Sequence, residues 1–182
     1  PLPFESIICQ GRTNRKNIKD LGDIVSCNHL TFFRIYKNPQ GLVSPGPIVS
    51  SECLKSGLRG LAGNMDFWKT VIIVPAFGID FSSGLGTVPL KKRYHEIAKI
   101  IELYKPTIEQ PDGETSKVFR YRSFRVNHTI YFEDAESIGN YIDLIQKYSV
   151  AGIGISCLGS VDPLIWSALR TKFRVIKGKG DD

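Results

Sequence analysis

The apolar run Val71-Ile-Ile-Val-Pro-Ala-Phe77 sets the strongest limit on the fold. Its first four residues are β-branched and no polar side chain interrupts it. A strand of this kind is buried on both faces, as in a parallel sheet with helices packed against it. Further apolar strands are predicted at 5–9, 28–36 and 150–158, with the central one at 70–77. Each is followed by a segment with helical spacing, so the chain reads as α/β.

The helical segments are legible from their apolar spacing. Ile18, Leu21 and Val25 mark a helix over 14–25, and Leu54, Leu58 and Leu61 mark one over 48–62. Leu90, Tyr94, Ile97, Ile101 and Tyr104 form one stripe of a helix that Thr87 is placed to cap, with Pro89 in its first turn. Asp134 is placed to cap another, carrying Ile138, Tyr141, Ile142, Ile145 and Tyr148. Between these two, residues 117–132 alternate in the manner of an antiparallel hairpin. The chain of 182 residues is expected to be a single domain over 1–182. Four βα units make either a small open sheet or half of a (β/α)8 barrel, which takes about 250 residues in full.

Several classes of function are excluded. No apolar run approaches the roughly 20 residues of a membrane helix, and no secretory signal is read in Pro1-Leu-Pro-Phe-Glu-Ser6. Cys9, Cys27, Cys53 and Cys157 include no C-x-x-C pair. Of these, Cys9, Cys27 and Cys157 fall on or beside predicted core strands, and buried free thiols are expected. His29, His95 and His128 sit in three different elements without metal spacing, so neither a metal nor a cofactor is expected. There is no G-x-S-x-G elbow and no P-loop. The net charge of +6 permits an anionic partner. Arg120, Arg122 and Arg125 interleave with Phe119, Tyr121 and Phe124, a pattern that can hold nucleic acid. A half-buried hairpin gives the same alternation, so a nucleic-acid module is the weakest of the readings. Asn127-His-Thr129 is a glycosylation sequon, meaningful only on a eukaryotic secretory route.

Four stretches together resemble glycoside hydrolase family 18. Leu42-Val-Ser-Pro-Gly-Pro-Ile48 is similar to the "gly-pro-gly-pro-ile" loop of its chitinase-like and spore-peptidoglycan-lysing members. Val71-Ile-Ile-Val-Pro-Ala-Phe-Gly-Ile-Asp-Phe81 is similar to the strand ending "gly-ile-pro-leu-tyr-gly-tyr-asp-trp". Tyr131-Phe-Glu-Asp-Ala-Glu-Ser137 resembles "trp-phe-glu-asp-ala-arg-ser", and Ala151-Gly-Ile-Gly-Ile-Ser-Cys-Leu-Gly159 resembles "gly-gly-val-gly-phe-trp-ala-leu-gly". The resemblance implies a half barrel, strands five to eight of a (β/α)8 TIM barrel, with a β-hairpin inserted between strands seven and eight. Residues 5–9 would be strand five, 28–36 strand six, 70–77 strand seven and 150–158 strand eight.

The family's catalytic signature, Asp-x-x-Asp-x-Asp-x-Glu, ends strand four and has no counterpart here. Asp20-x-x-Asp23 echoes its start, but Val25 and Cys27 stand where Asp and Glu are needed. The family is expected to use substrate assistance, in which that Glu protonates the glycosidic oxygen. The retained half is also altered. The "met-x-tyr-asp" of strand six becomes Arg34-Ile-Tyr36-Lys37, the "tyr-gly-x-asp" of strand seven becomes Phe77-Gly-Ile-Asp80, and the floor tryptophan of strand eight becomes Ser156. Trp68 and Trp166 are expected to serve as packing residues.

The resemblance therefore implies no catalytic residue in this chain and candidate substrate contacts at Tyr36, Phe77 and Asp80. The expected function is a degenerate, non-catalytic glycan-binding or structural module for N-acetylglucosamine polymers. The alternative is one subunit of a split glycosidase whose catalytic Glu lies on another chain. Half a barrel leaves open sheet edges, so the expected partner is a second polypeptide carrying strands one to four, or a second copy. By resemblance the location is extracellular, cell-surface or spore-associated.

Overall fold

The computed structural model describes Asp23, Cys27 and residues 29–36, 42, 44–62, 66–84, 87–157 and 159–173. The strand predicted at 5–9, the helix predicted at 14–25 apart from Asp23, Cys9, Lys37 and the residues beyond 173 lie outside the described residues. Along the chain run β1 (Thr31–Arg34), α1 (Ser51–Ala62), β2 (Thr70–Val74), β3 (Gly78–Ser82), β4 (Leu90–Lys92), α2 (Tyr94–Tyr104) and β5 (Ile108–Glu109). There follow β6 (Lys117–Ser123), β7 (Val126–Phe132), α3 (Ala135–Ile145), β8 (Gly152–Ile155) and α4 (Ile165–Lys172).

The first sheet is parallel, in the order β1-β2-β8. Its strands are shorter than the predicted runs at 28–36, 70–77 and 150–158, because pairing stops where the chain turns away at each end. One face carries Phe33, Ile72 and Val74. These share a core with Leu54 and Leu58 of α1 and with Ile138, Tyr141, Ile142 and Ile145 of α3. The register puts Phe32 beside Val71, Arg34 beside Ile73, and Val71 and Ile73 beside Gly152 and Gly154 on the opposite face. Phe32 is 62% exposed there. The apolar run predicts burial on two sides; on the second side Val71 and Ile73 are half-buried, and the exposure falls on Phe32 and Arg34 of β1.

After β2 the chain passes through Pro75, Ala76 and Phe77 into a second sheet. It is antiparallel, in the order β4-β3-β7-β6-β5. This corrects the reading of Gly78-Ile-Asp80 as the end of the strand at 70–77, since these residues begin β3 and pair with β7. The prediction at 117–132 is likewise only part of the sheet. Ile97 of α2 packs on Phe119, Ile130 and Phe132, with Ile100, Ile101 and Tyr121 around them. Gly78 allows this approach. A Cβ there would lie 2.5 Å from Ile97 Cδ1 and 3.0 Å from both Phe132 Cβ and the Tyr131 carbonyl oxygen.

Helix α2 starts at Tyr94, seven residues beyond the predicted cap at Thr87. Leu90 to Lys92 pair with the free edge of β3, and an extended segment cannot also be helical. Thr87 stays in the β3–β4 loop, its hydroxyl donating to the Ser82 and Gly84 carbonyls at 2.8 and 3.1 Å. The start of α2 is secured instead by Glu96, whose carboxylate accepts from the Arg93 N–H at 2.8 Å. Helix α3 begins as expected, with Asp134 Oδ1 accepting from the Ser137 N–H at 3.0 Å.

Trp68 and Trp166 do not pack inside: they are 66% and 42% exposed. In the short 3-10 turn of 67–69 the buried aromatic is Phe67, and the Trp68 ring lies against Lys69 Nζ at 4.8 Å. Cys27 is exposed rather than buried, Cys53 and Cys157 are half-buried, and none of the three forms a disulfide. Among the described residues no helix is long and apolar enough to cross a membrane.

Two stability predictions follow from the second sheet. Gly78→Ala should destabilise by about 1–3 kcal/mol in urea unfolding, and adding Ile97→Val should recover part of the loss. The β6–β7 turn places Phe124 and Arg125 at φ 46° and 68°, the geometry of a type I′ hairpin that favours Asn-Gly. The pair Phe124→Asn and Arg125→Gly should raise stability by up to about 1 kcal/mol in the same assay.

Candidate functional site

In α/β folds with parallel strands, ligands gather at the carboxyl ends of those strands. Here β1 runs on to Tyr36, β2 to Ala76 and Phe77, and β8 to Ser156 and Cys157. Tyr36 and Phe77 meet edge to face, with ring centroids 5.2 Å apart at 77°. Tyr36 is 8% exposed and Phe77 is buried. Two cations flank them. Arg34 Cζ lies 5.3 Å from the Tyr36 ring, and Lys91 Nζ lies 4.2 Å from the Phe77 ring.

Ser156 stands at the end of β8, and its hydroxyl oxygen accepts from the Ala76 N–H at 3.2 Å. It joins β8 to the end of β2 and offers no ring to a ligand. Cys157 then takes a left-handed conformation at φ 63°. A cavity of about 520 Å³ opens beside it, lined by Lys91, Arg93, Glu96, Cys157, Gly159 and Ser160. Ser160 closes the far side. Its carbonyl accepts from the Tyr94 N–H at 3.2 Å, and its hydroxyl lies 2.5 Å from His95 Nδ1. A second cavity of about 450 Å³ lies beyond β3, bordered by Phe81, Ser83, Val88 and Asn127.

Asp80 stands in β3 of the second sheet, three residues beyond Phe77. It shares the α2-facing side of the sheet with its cross-strand neighbour Ile130. Its two oxygens lie 3.0 and 3.1 Å from His128 Nδ1, and Tyr121 stacks on that histidine at 4.6 Å. Burial, then the Asp80 charge and Tyr104, push the Tyr121 hydroxyl up to about 12. Phe119 is buried beneath α2, so it is closed to base stacking.

The sequence reading passed over Glu133. It follows β7 and is 1% exposed. Its Oε1 accepts from the Ser116 hydroxyl at 2.5 Å and from the Tyr141 hydroxyl at 3.0 Å. Its Oε2 has no hydrogen-bond partner among the described residues. Burial drives its pKa up to about 8 against the pull of those hydroxyls. At neutral pH it is therefore mostly protonated, and it is too deeply enclosed to deliver that proton to a ligand at the surface. Next to it, burial raises Asp134 but the Lys117 ammonium at 2.7 Å and the Ser137 N–H outweigh it, leaving Asp134 below its ordinary value. The signal for Glu133 was present: a carboxylate directly after an apolar strand and just before a helix cap. Among the described residues no three His, Cys, Asp or Glu side chains are grouped to hold a metal.

This geometry can be set beside known proteins. The spore cortex-lytic enzyme SleL of Bacillus megaterium QM B1551 superposes with a TM-score of 0.76 at 21% identity, over 88% of this chain and 37% of its own. A chitinase from Chromobacterium violaceum ATCC 12472 superposes with a TM-score of 0.74 at 21% identity, over 84% and 48%. The chain has a chitinase-like, spore-glycosidase-like fold. Among curated proteins, the uncharacterized glycosylase YvbX of Bacillus subtilis is 24% identical over 129 residues, 69% of this chain and 37% of that protein. No protein-family model matches the chain. The chain thus spans well under half the length of YvbX and SleL.

The buried carboxyl gives a pH prediction. The folded value of about 8 lies above the ordinary value of 4.5. The stabilisation is therefore complete below the ordinary value and is lost as pH rises toward and through the folded one. Urea midpoints should fall between pH 5 and pH 9, and Glu133→Gln should flatten that slope. An unchanged slope in the variant would remove Glu133 as its source.

Proposed function

We propose that residues 1–182 fold as a single domain forming the carboxyl-terminal half of a family-18-like barrel, strands five to eight, with β3 to β7 inserted before the last strand. In this reading the module is non-catalytic and serves glycan binding or assembly. The observation that carries it is the exposed part of the second face of the β1-β2-β8 sheet at β1, where Phe32 is 62% exposed and Arg34 is exposed beside it. A parallel sheet is normally covered on both faces. Four further strands, from a second polypeptide or a second copy, would supply the cover. The 37% of the SleL chain that this one spans supports the same reading.

The ligand class follows from the neighbours' names, a chitinase and a spore cortex-lytic enzyme: an N-acetylglucosamine-containing glycan, at the cell surface or on a spore. Tyr36, 8% exposed, would offer the edge of an aromatic contact to it, while Phe77, buried against it, and Asp80, held to His128, would support that end of the sheets from within. A split glycosidase, with the catalytic Glu on the second polypeptide, is favoured by one observation, that the curated relative is described as a glycosylase.

Native mass spectrometry of the protein purified from its source tests this. The expected result is a complex with a second polypeptide of similar size, or a dimer. Phe32→Asp should dissociate it while leaving the thermal midpoint of the isolated chain within a few degrees, since Phe32 is already largely in solvent. A lone monomer that ignores chitin and peptidoglycan strands would overturn the proposal. A partner with a Glu correctly spaced after its last strand, and hydrolysis by the pair, would decide for the split enzyme.

A further inference from the structure

We infer that the end of the molecule formed by the β6–β7 turn and the last turn of α2 docks on an anionic lipid surface, with the Phe124 ring entering the bilayer interface. The inference stands apart from the glycan and assembly readings, since neither the carboxyl ends of the parallel strands nor the Phe32 face takes part. It starts from a residue that the fold does not explain. Phe124 is 97% exposed at φ 46°, and Arg125 follows it at φ 68°. A bulky side chain in the left-handed region is strained, and here the ring gains no burial in return. Strain of this kind concentrates where a side chain serves binding.

The turn is a supported projection. Tyr104, the last residue of α2, donates from its hydroxyl to Ser123 Oγ at 2.9 Å, and its ring lies 4.7 Å from that of Tyr121. On the other strand the Asn127 N–H donates to Ser83 Oγ at 2.9 Å, and the Asn127 carbonyl accepts from the Ser83 N–H at 2.8 Å. The Tyr104–Ser123 bond also brings the exposed end of α2 to the turn. Tyr104 is 39% exposed and its neighbour Leu103 is 73% exposed. Three apolar side chains therefore stand in solvent at this end, with Phe124 at the tip.

Charge selects the occupant. Lys105 caps α2, Arg122 precedes the turn and Arg125 lies in it. All three are exposed, and none has an ion-pair partner among the described residues. Arg120 is not counted, because Glu109 takes it at 3.1 Å. Against the three stands the exposed carboxylate of Glu102. A projecting ring needs a matching socket in a rigid partner, whereas a bilayer interface is fluid and needs none. Aromatic and leucine side chains settle at the headgroup boundary, and Lys and Arg are drawn to acidic headgroups. A soluble polyanion would meet the cations and leave Phe124 in water.

Co-sedimentation of the full chain with lipid vesicles tests this. The probes are vesicles of phosphatidylcholine alone, vesicles of phosphatidylcholine mixed equally with phosphatidylglycerol, and heparin as a soluble polyanion. Partition onto the acidic vesicles should exceed that onto the neutral ones by at least about tenfold, and about 0.5 M salt should remove most of the difference. Arg122→Gln with Arg125→Gln should abolish the preference. Phe124→Asn with Arg125→Gly, the pair expected to raise stability, should lower partition onto acidic vesicles about tenfold and leave the assembly seen by native mass spectrometry unchanged. In Phe124→Trp, the added emission should shift to the blue on acidic vesicles and be quenched by brominated lipid. No partition of the unaltered chain onto acidic vesicles would overturn the inference, as would equal partition after Phe124→Asn with Arg125→Gly. Heparin binding as tight as vesicle binding, and indifferent to Phe124→Asn, would overturn it in favour of a general polyanion site. Loss of self-association in Phe124→Asn would overturn it in favour of a second copy as the occupant.

Discussion

The β1-β2-β8 sheet has two faces to bury, and the described helices α1 and α3 pack on one of them. Phe33, Ile72 and Val74 are closed in by α1 and α3, while Phe32 and Arg34 stand on the other side in solvent. Burying apolar area at roughly 25 cal/mol per Å² is the main force available to such a sheet. The two-stranded contact on either side of β2 cannot supply it alone. The rest of the molecule is arranged around this one-sided core, and the carboxyl ends of its strands fix where Tyr36, Phe77 and Ser156 lie.

The antiparallel sheet is built on a single close approach. Gly78 lets Ile97 settle against β3, and from that contact α2 gains its position over Phe119, Ile130 and Phe132. The placement of α2 then sets the cavity beside β8, because its start brings Arg93 and Glu96 to the loop holding Ser160. A change of sheet at Phe77 thus has its effect on the wall of the candidate site.

The parts of this arrangement that depend on local pattern were legible in the sequence. The β-branched run at 71–74, the alternation over 117–132 and the Asp134 cap each state their structure within a few residues. What escaped depends on distant neighbours. Thr87 and Pro89 have good helix-start chemistry, but the open edge of β3 drew residues 90–92 into a strand. Asp80 is read from resemblance as a ligand contact, and nothing in its spacing announces His128, which lies 48 positions along the chain and 3.0 Å from it. Glu133 gave no periodic signal, since its burial depends on Ser116 and Tyr141 arriving from two other elements. Tyr36 and Phe77 were named from resemblance and do meet, although spacing alone could not have paired them.

The connections of residues 114–116 have a consequence for how the chain comes apart. Glu114 holds the Ser51 N–H at the head of α1, the Thr115 carbonyl accepts from Ser137 of α3, and Ser116 reaches Glu133. Tyr141 adds a link from α3 to the Val49 carbonyl. The segment that starts β6 is thus tied to the helices that cover the parallel sheet. Freeing either sheet would strand buried polar groups belonging to the other, each at a cost of about 1–3 kcal/mol. The two sheets are thereby coupled, and a form that keeps only one of them is disfavoured by those stranded groups.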